Sequence, residues 1–177
     1  MNKTARIGID PGKGSYIVVI DEQGEIFFNR IPMIGSSIDV KGLSDIFYNI
    51  DQTYDEKQCV IENVHAIFGS SADATFTFGY VTGLLEALLV AYEIPFVKVN
   101  PKVWQKEMWE GVPIIKKPSS SGKTSVNDTK SISEIAAKRL FPNVDLRPND
   151  CTNRCKNSDH NKVDALLIAS YCKRKFN

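Results

Sequence analysis

Apolar and polar positions along the chain fall into two periods. Residues 5–9 form an apolar run that ends on Asp10, Pro11-Gly12 turns the chain, and Tyr16-Ile17-Val18-Val19-Ile20 follows. That pattern predicts strand, tight turn, strand, with Pro11 fixing its own φ and Gly12 supplying φ > 0. Asp21-Glu22-Gln23-Gly24 reads as a hairpin turn into a third strand, Ile26 to Ile31, stopped by Pro32. Three strands joined by short turns predict an antiparallel meander. Residues 33–39 read as loop. From residue 40 to about 54 the period changes, with Leu43, Ile46, Phe47 and Ile50 at helical spacing.

Cys59-Val60-Ile61-Glu62 is a second apolar run that ends on a carboxylate, and its place after a helical crossover predicts a buried parallel strand. Residues 63–73 read as loop and 74–92 as a long apolar helix, with Gly79 and Gly83 open to close approach by another element. Residues 95–99 predict a short strand. Residues 101–109 predict a helix with Pro101 in its first turn. Residues 110–126, rich in Lys, Ser, Gly and Pro, predict a mobile basic loop. Asn127 or Asp128 is expected to cap a helix running to Phe141, and a last helix is expected over residues 161–173. The order β-β-β-α-β-α-β-α-α-α predicts an α/β fold, a five-stranded mixed sheet flanked by helices, in one domain spanning 1–177.

Composition narrows this little. At 177 residues and 42% hydrophobic content, one core is affordable. No run of eighteen apolar residues is present, so no membrane span is expected. The first four residues lead straight into a strand, with no secretory pattern, so the four cysteines (Cys59, Cys151, Cys155, Cys172) are expected as free thiols in a reducing cytoplasm. Charge becomes informative once the chain is divided. Residues 1–97 carry 6 Lys/Arg against 13 Asp/Glu, and residues 98–177 carry 16 against 8. An acidic half joined to a basic half suits a protein that handles a polyanion through bound cations.

A third acid completes a set. In Asp159-His160-Asn161-Lys162-Val163-Asp164, helical geometry places Asp164 on one face with Leu167, Ile168 and Tyr171, and His160 one turn earlier. Asp159 reads most simply as the helix cap. Two strand-end carboxylates, Asp10 and Glu62, plus Asp164 on a helix match the oxygen donors that hard divalent cations require. Two such ions roughly 3.5–4 Å apart can activate a water and stabilise the leaving oxygen in phosphodiester cleavage.

Five stretches carry a family resemblance, in order along nearly the whole chain. They are Ile7-Gly8-Ile9-Asp10-Pro11-Gly12; Val60-Ile61-Glu62-Asn63-Val64; Phe78-Gly79 with Gly83; Pro95-Phe96-Val97 with Val99, Pro101 and Trp104; and His160 with Asp164-Ala165-Leu166-Leu167-Ile168-Ala169. The chain resembles RuvC-type Holliday junction resolvases, most closely their phage- and mobile-element-associated branch. The resemblance implies a ribonuclease H-like fold, a homodimer, and paired Mg²⁺-dependent nicks in a four-way DNA junction, with Asp10, Glu62 and Asp164 as metal-binding acids. The family's fourth ligand is usually Asp or His three or four residues before the last acid. Here the assignment is His160, with Asp159 as the alternative, and an imidazole ligand makes Mn²⁺ as suitable as Mg²⁺.

The resemblance also implies that Lys130 lies near the cleaved phosphate, and that Lys102 and Lys106 stand at basic positions. With Lys116, Lys117 and Lys123 they would form a phosphate-binding surface. His65 and Phe68 fall where the family places an aromatic near the junction centre. Cys151, Cys155 and His160 offer three ligands at a spacing that fits no common zinc finger. Trp104 and Trp109 are expected to serve packing. Two other readings stay open: a nuclease-inactive, structure-specific DNA-binding protein, and a less selective nuclease for branched DNA. An actin-like ATPase would need two such domains and a longer chain.

Overall fold

The computed structural model describes residues 2–63, 71–119, 121–149 and 155–176. Its centre is a five-stranded sheet built from β1 (Thr4–Ile9), β2 (Tyr16–Asp21), β3 (Ile26–Arg30), β6 (Glu56–Glu62) and β7 (Phe96–Val99), in the order β3-β2-β1-β6-β7. β1 and β2, and β2 and β3, pair antiparallel, whereas β6 runs parallel to both β1 and β7. Two short pairs lie outside it, β4 (Met33–Ile34) with β5 (Ser37–Ile38), and β8 (Lys116–Pro118) with β9 (Ser125–Asn127). The helices are α1 (Val40–Thr53), α2 (Ala72–Ala91), α3 (Pro101–Met108), α4 (Thr129–Leu140) and α5 (His160–Lys175). The mixed sheet expected from the sequence is present.

Side-chain alternation divides the core in two. Odd-numbered residues of β1, β2 and β6, such as Ile7, Ile9, Val19 and Ile61, pack under α1 and α2. Even-numbered ones, Tyr16, Val18, Ile20 and Val60, pack with α3, α4 and α5. Against Gly8, on that second face, α5 comes to backbone contact. A Cβ there would stand 2.1 Å from the Ala169 nitrogen and 2.5 Å from the Ala165 carbonyl oxygen. Except for Asp164, every residue of α5 from Lys162 to Cys172 is buried, because the helix lies between the sheet and the α3–α4 layer. Lys162 is buried by design of its contacts: its Nζ donates to the Arg147 carbonyl at 3.0 Å and Asn149 Oδ1 at 2.9 Å, 4.4 Å from the centre of the Phe28 ring. The ammonium thereby ties the segment preceding α5 to β3.

Several expectations are corrected. The positive φ in the first turn belongs to Gly14 (73°), and Gly12 is not among the positive-φ glycines. The chain turns over the six residues 10–15, with the Ser15 amide bonded to the Gly12 carbonyl. The segment read as a mobile loop at 110–126 contains the strands of the β8–β9 hairpin, and the 33–39 loop contains β4 and β5. Both pairs are polar or very short and are held by backbone hydrogen bonds, so they lack an apolar signature. β6 starts three residues early because Glu56, Lys57 and Gln58 pair with Thr4, Ala5 and Arg6. The helix α2 is long and apolar enough, by length and composition, to cross a bilayer despite the absence of an unbroken apolar run. Here it packs Val81, Leu85 and Leu89 on the sheet. Finally, Cys155 is disulfide-bonded, whereas Cys59 and Cys172 are free and buried. The expectation of four free thiols rested on compartment alone, which says nothing about which sulfurs can meet.

The Gly8 contact has no slack, since backbone atoms and not flexible side-chain ends occupy the space. Gly8→Ala should therefore act as overpacking and cost about 1–3 kcal/mol or more, lowering Tm by roughly 3–10 °C in thermal unfolding. Gly79→Ala, with nothing within 4 Å of the added Cβ, should leave Tm unchanged or higher.

Candidate active site

The register of β1 and β6 fixes the first two acids. Ile9 pairs with Ile61, so Asp10 and Glu62 leave neighbouring parallel strands at the same end of the sheet. Both have the parity of Gly8 and Val60, which turns them toward α5. The crossing of α5 at Gly8 then brings Asp164, immediately before Ala165, to the same place.

Burial and mutual repulsion make the three acids costly to ionise. Loss of solvent raises Asp10 to about 6, and the negative charge of Asp159 adds to the rise. Glu62 is raised to about 7, chiefly by desolvation and then by Asp10 and Asp164. Asp164 is raised to about 7 by desolvation and by Asp10. Two of the carboxylates also receive a neutral hydrogen bond. The Ser15 hydroxyl donates to Asp10 Oδ2 at 3.3 Å, and the Trp104 indole donates to Glu62 Oε1 at 2.8 Å. Ser133, which accepts from the Trp109 indole at 3.3 Å, lies close enough to Asp164 to favour its ionised form. Asp164 Oδ1 is buried without a partner. Among the described residues, no Lys or Arg forms an ion pair with any of the three.

The remaining predicted residues fall into three groups. His160 opens α5, with Nδ1 buried and unpartnered. Asp159 is the N-cap, accepting from the Asn161 amide at 3.0 Å, so its capping role is realised, and its charge still acts on Asp10. Lys130, near the start of α4, is exposed and close enough to Asp164 to favour its ionised form. Lys102 and Lys106 are exposed on α3, Lys116 and Lys117 lie on β8, and Lys123 lies in the turn between β8 and β9. Lys117 is bridged to Asp128 at 2.9 Å. His65 and Phe68 lie outside the described residues. With Cys155 in a disulfide, a Cys151–Cys155–His160 zinc site loses one thiolate.

Among the described residues, no three His, Cys, Asp or Glu side chains stand arranged to hold a metal ion. The donor chemistry nonetheless suits a hard cation: three carboxylates, an unpartnered buried oxygen on Asp164, and no competing cation bridged to them. Sequence reasoning treated Trp104 as packing and passed over Ser15 and Ser133. The spacing of Trp104, five residues beyond the end of β7, was the available signal.

The sequence matches no family model and no curated protein. The structure does match solved ones. The Thermus thermophilus RuvC structure aligns over 97% of this chain and 95% of that one, at a TM-score of 0.56 and 14% identity. This chain has the fold of RuvC. T. thermophilus RuvC in complex with a Holliday junction substrate aligns over 96% and 91%, at 0.56 and 12%. The yeast mitochondrial Holliday junction resolvase Ydc2 aligns over 95% and 84%, at 0.48 and 13%. In this RuvC fold the three acids occupy the end of the central strands and the helix that crosses them.

Because the three acids hold protons more tightly when folded than when unfolded, ionisation opposes folding. Stability of the metal-free protein should be greatest below about pH 4 as far as these groups are concerned, and fall as pH rises through 6 to 7. Asp10→Asn removes one charge and relieves its two neighbours. Without divalent metal it should raise Tm at pH 8 by roughly 3–8 °C and have little effect at pH 4, as measured by differential scanning calorimetry.

Proposed function

We propose that this protein is a single-domain, metal-dependent DNA endonuclease that resolves four-way junctions by paired phosphodiester nicks. The observation that carries the reading is the meeting of Asp10, Glu62 and Asp164 on the α5 face at one end of the sheet, within a RuvC fold. T. thermophilus RuvC bound to a Holliday junction substrate supports branched DNA as the substrate class.

In this reading Asp10, Glu62 and Asp164 hold Mg²⁺ or Mn²⁺, two ions per site, with His160 as the fourth ligand and Asp159 as the alternative. The bound cations supply activation of the attacking water and stabilisation of the leaving oxygen. A cation held by Asp10, Glu62 and Asp164 would compete with the protons that burial favours there and would offset the repulsion among the acids. Ser15 and Trp104 hold carboxylate oxygens without neutralising them, and Ser133 lies beside Asp164. Lys130 offers its charge to the scissile phosphate beside Asp164. Lys102, Lys106, Lys116 and Lys123 contact flanking phosphates, which makes binding weaken with salt. Lys117 joins them when it exchanges Asp128 for DNA, and His65 and Phe68 serve the junction centre.

Paired nicks require two sites, and α2 offers the surface for a homodimer. Opposite its buried side, Phe76, Tyr80, Gly83, Ala87 and Val90 share one exposed stripe at helical spacing, with Phe76 75% and Val90 67% exposed. The glycine leaves room for a second helix to approach closely.

The deciding experiment compares labelled four-way junction, flap and linear duplex DNA with Mg²⁺ or Mn²⁺, and measures binding in EDTA. Wild type should nick the junction preferentially, with Mn²⁺ at least as effective as Mg²⁺. Asp10→Asn should lose nicking by more than about a hundredfold, beyond the usual outer-shell effect, while junction binding persists. Junction binding without nicks under either metal would favour a binding protein, and equal cleavage of all three substrates a less selective nuclease. His160→Ala with undiminished cleavage would exclude His160 as a ligand. Sedimentation should show a wild-type dimer and a Gly83→Arg monomer of unchanged helix content.

A further inference from the structure

Trp104 is completely buried, yet it belongs as much to the carboxylate set as to the core. β7 ends at Val99, paired with Glu62, and a single residue, Asn100, separates it from α3. Asn100 caps the helix by accepting from the Lys102 amide at 3.0 Å, and Pro101 sets the first turn. One turn into α3, the indole stands beneath the end of β6, and its N–H donates to Glu62 Oε1 at 2.8 Å. The two partners are 42 residues apart in sequence.

A buried indole needs an acceptor, and any carbonyl would satisfy it. Two observations assign the bond more than that. Asp10 and Glu62, the two strand-end acids, have the same kind of partner, a neutral donor on one oxygen: the Ser15 hydroxyl and the Trp104 indole. The donor to Glu62 is also fixed in direction, since the indole N–H lies in the plane of a fully buried ring, whereas a hydroxyl proton turns about its C–O bond. A neutral donor fixes the carboxylate plane while leaving its full negative charge for a cation, whereas Lys or Arg would cancel that charge and compete. Orientation of ligands by such outer partners is worth 10–100-fold in metal affinity.

We propose that Trp104 is a positioning residue for the metal centre: by holding Oε1 of Glu62, its indole presents Oε2 to the cation and tightens cation binding. The inference rests on the metal-centre reading of Asp10, Glu62 and Asp164. It assigns no contact between Trp104 and DNA or the reacting atoms.

The test titrates Mg²⁺ and Mn²⁺ into the DNA-free protein and reads two signals. The first is the metal-induced rise in Tm of wild type and Trp104→Phe. Trp104→Phe should need roughly 10–100-fold more metal for the same rise. A purely structural role would lower the metal-free Tm but leave the metal concentration at half-effect unchanged. The second is the indole N–H resonance of Trp104 in wild type, assigned by its persistence in Trp109→Phe, which should shift on Mg²⁺ saturation. This reading holds even if Trp104→Phe fails to fold. Unchanged metal affinity in a folded Trp104→Phe, or an indole resonance that stays in place while Tm reports saturation, overturns the inference alone. A wild-type protein with no saturable response to either metal overturns the metal-centre reading as well.

Discussion

The rest of the molecule depends on the contact between β1 and α5 at Gly8. A central strand and a buried helix meet there without a side chain between them, so the helix axis is set by backbone atoms. Any larger residue would lift α5 and move Asp164 away from Asp10, because the acid is one residue from the Ala165 carbonyl that touches the glycine space. Lys162 fixes the same helix from the other side through Arg147, Asn149 and Phe28. Shape and charge are thus decided within one turn of α5.

That placement is held against electrostatics. Three acids brought together with little water and without ion-paired bases are each raised well above their ordinary values. Hydrogen bonds from neutral groups lower the cost without removing the charge. The packing of two layers supplies the difference: Trp104, Met108, Ile132, Ala136 and Ala137 from α3 and α4 close over α5 and carry Trp104, Trp109 and Ser133 to the acids. The helices that complete the core are therefore also the helices that hold the donors.

How much of this the sequence discloses depends on the range of the interaction. Strand-end acids are legible, because the apolar runs ending at Asp10 and Glu62 and the alternation along them are local. The helix face of Asp164 is legible for the same reason. The bond from Trp104 to Glu62 is not, because it exists only once the β6–β7 register has been fixed. Gly8 looks like one residue of a motif until the helix that needs its missing side chain is in place. The β8–β9 hairpin escapes because Lys, Ser and Pro pair there through the backbone alone, and the Cys155 disulfide because spacing does not state which sulfurs face each other.

The acids of the site come from positions far apart in the sequence, Asp10, Glu62 and Asp164, and this orders its birth. β1 leaves the ribosome carrying Asp10 long before α5 has been synthesised, so the Gly8 groove stands open through most of translation. A chain broken off anywhere between β7 and residue 164 retains all five strands of the central sheet and two acids, but lacks the helix that seals the groove and the third acid it bears. The full set of charges at the site therefore forms only once the chain has been made through α5.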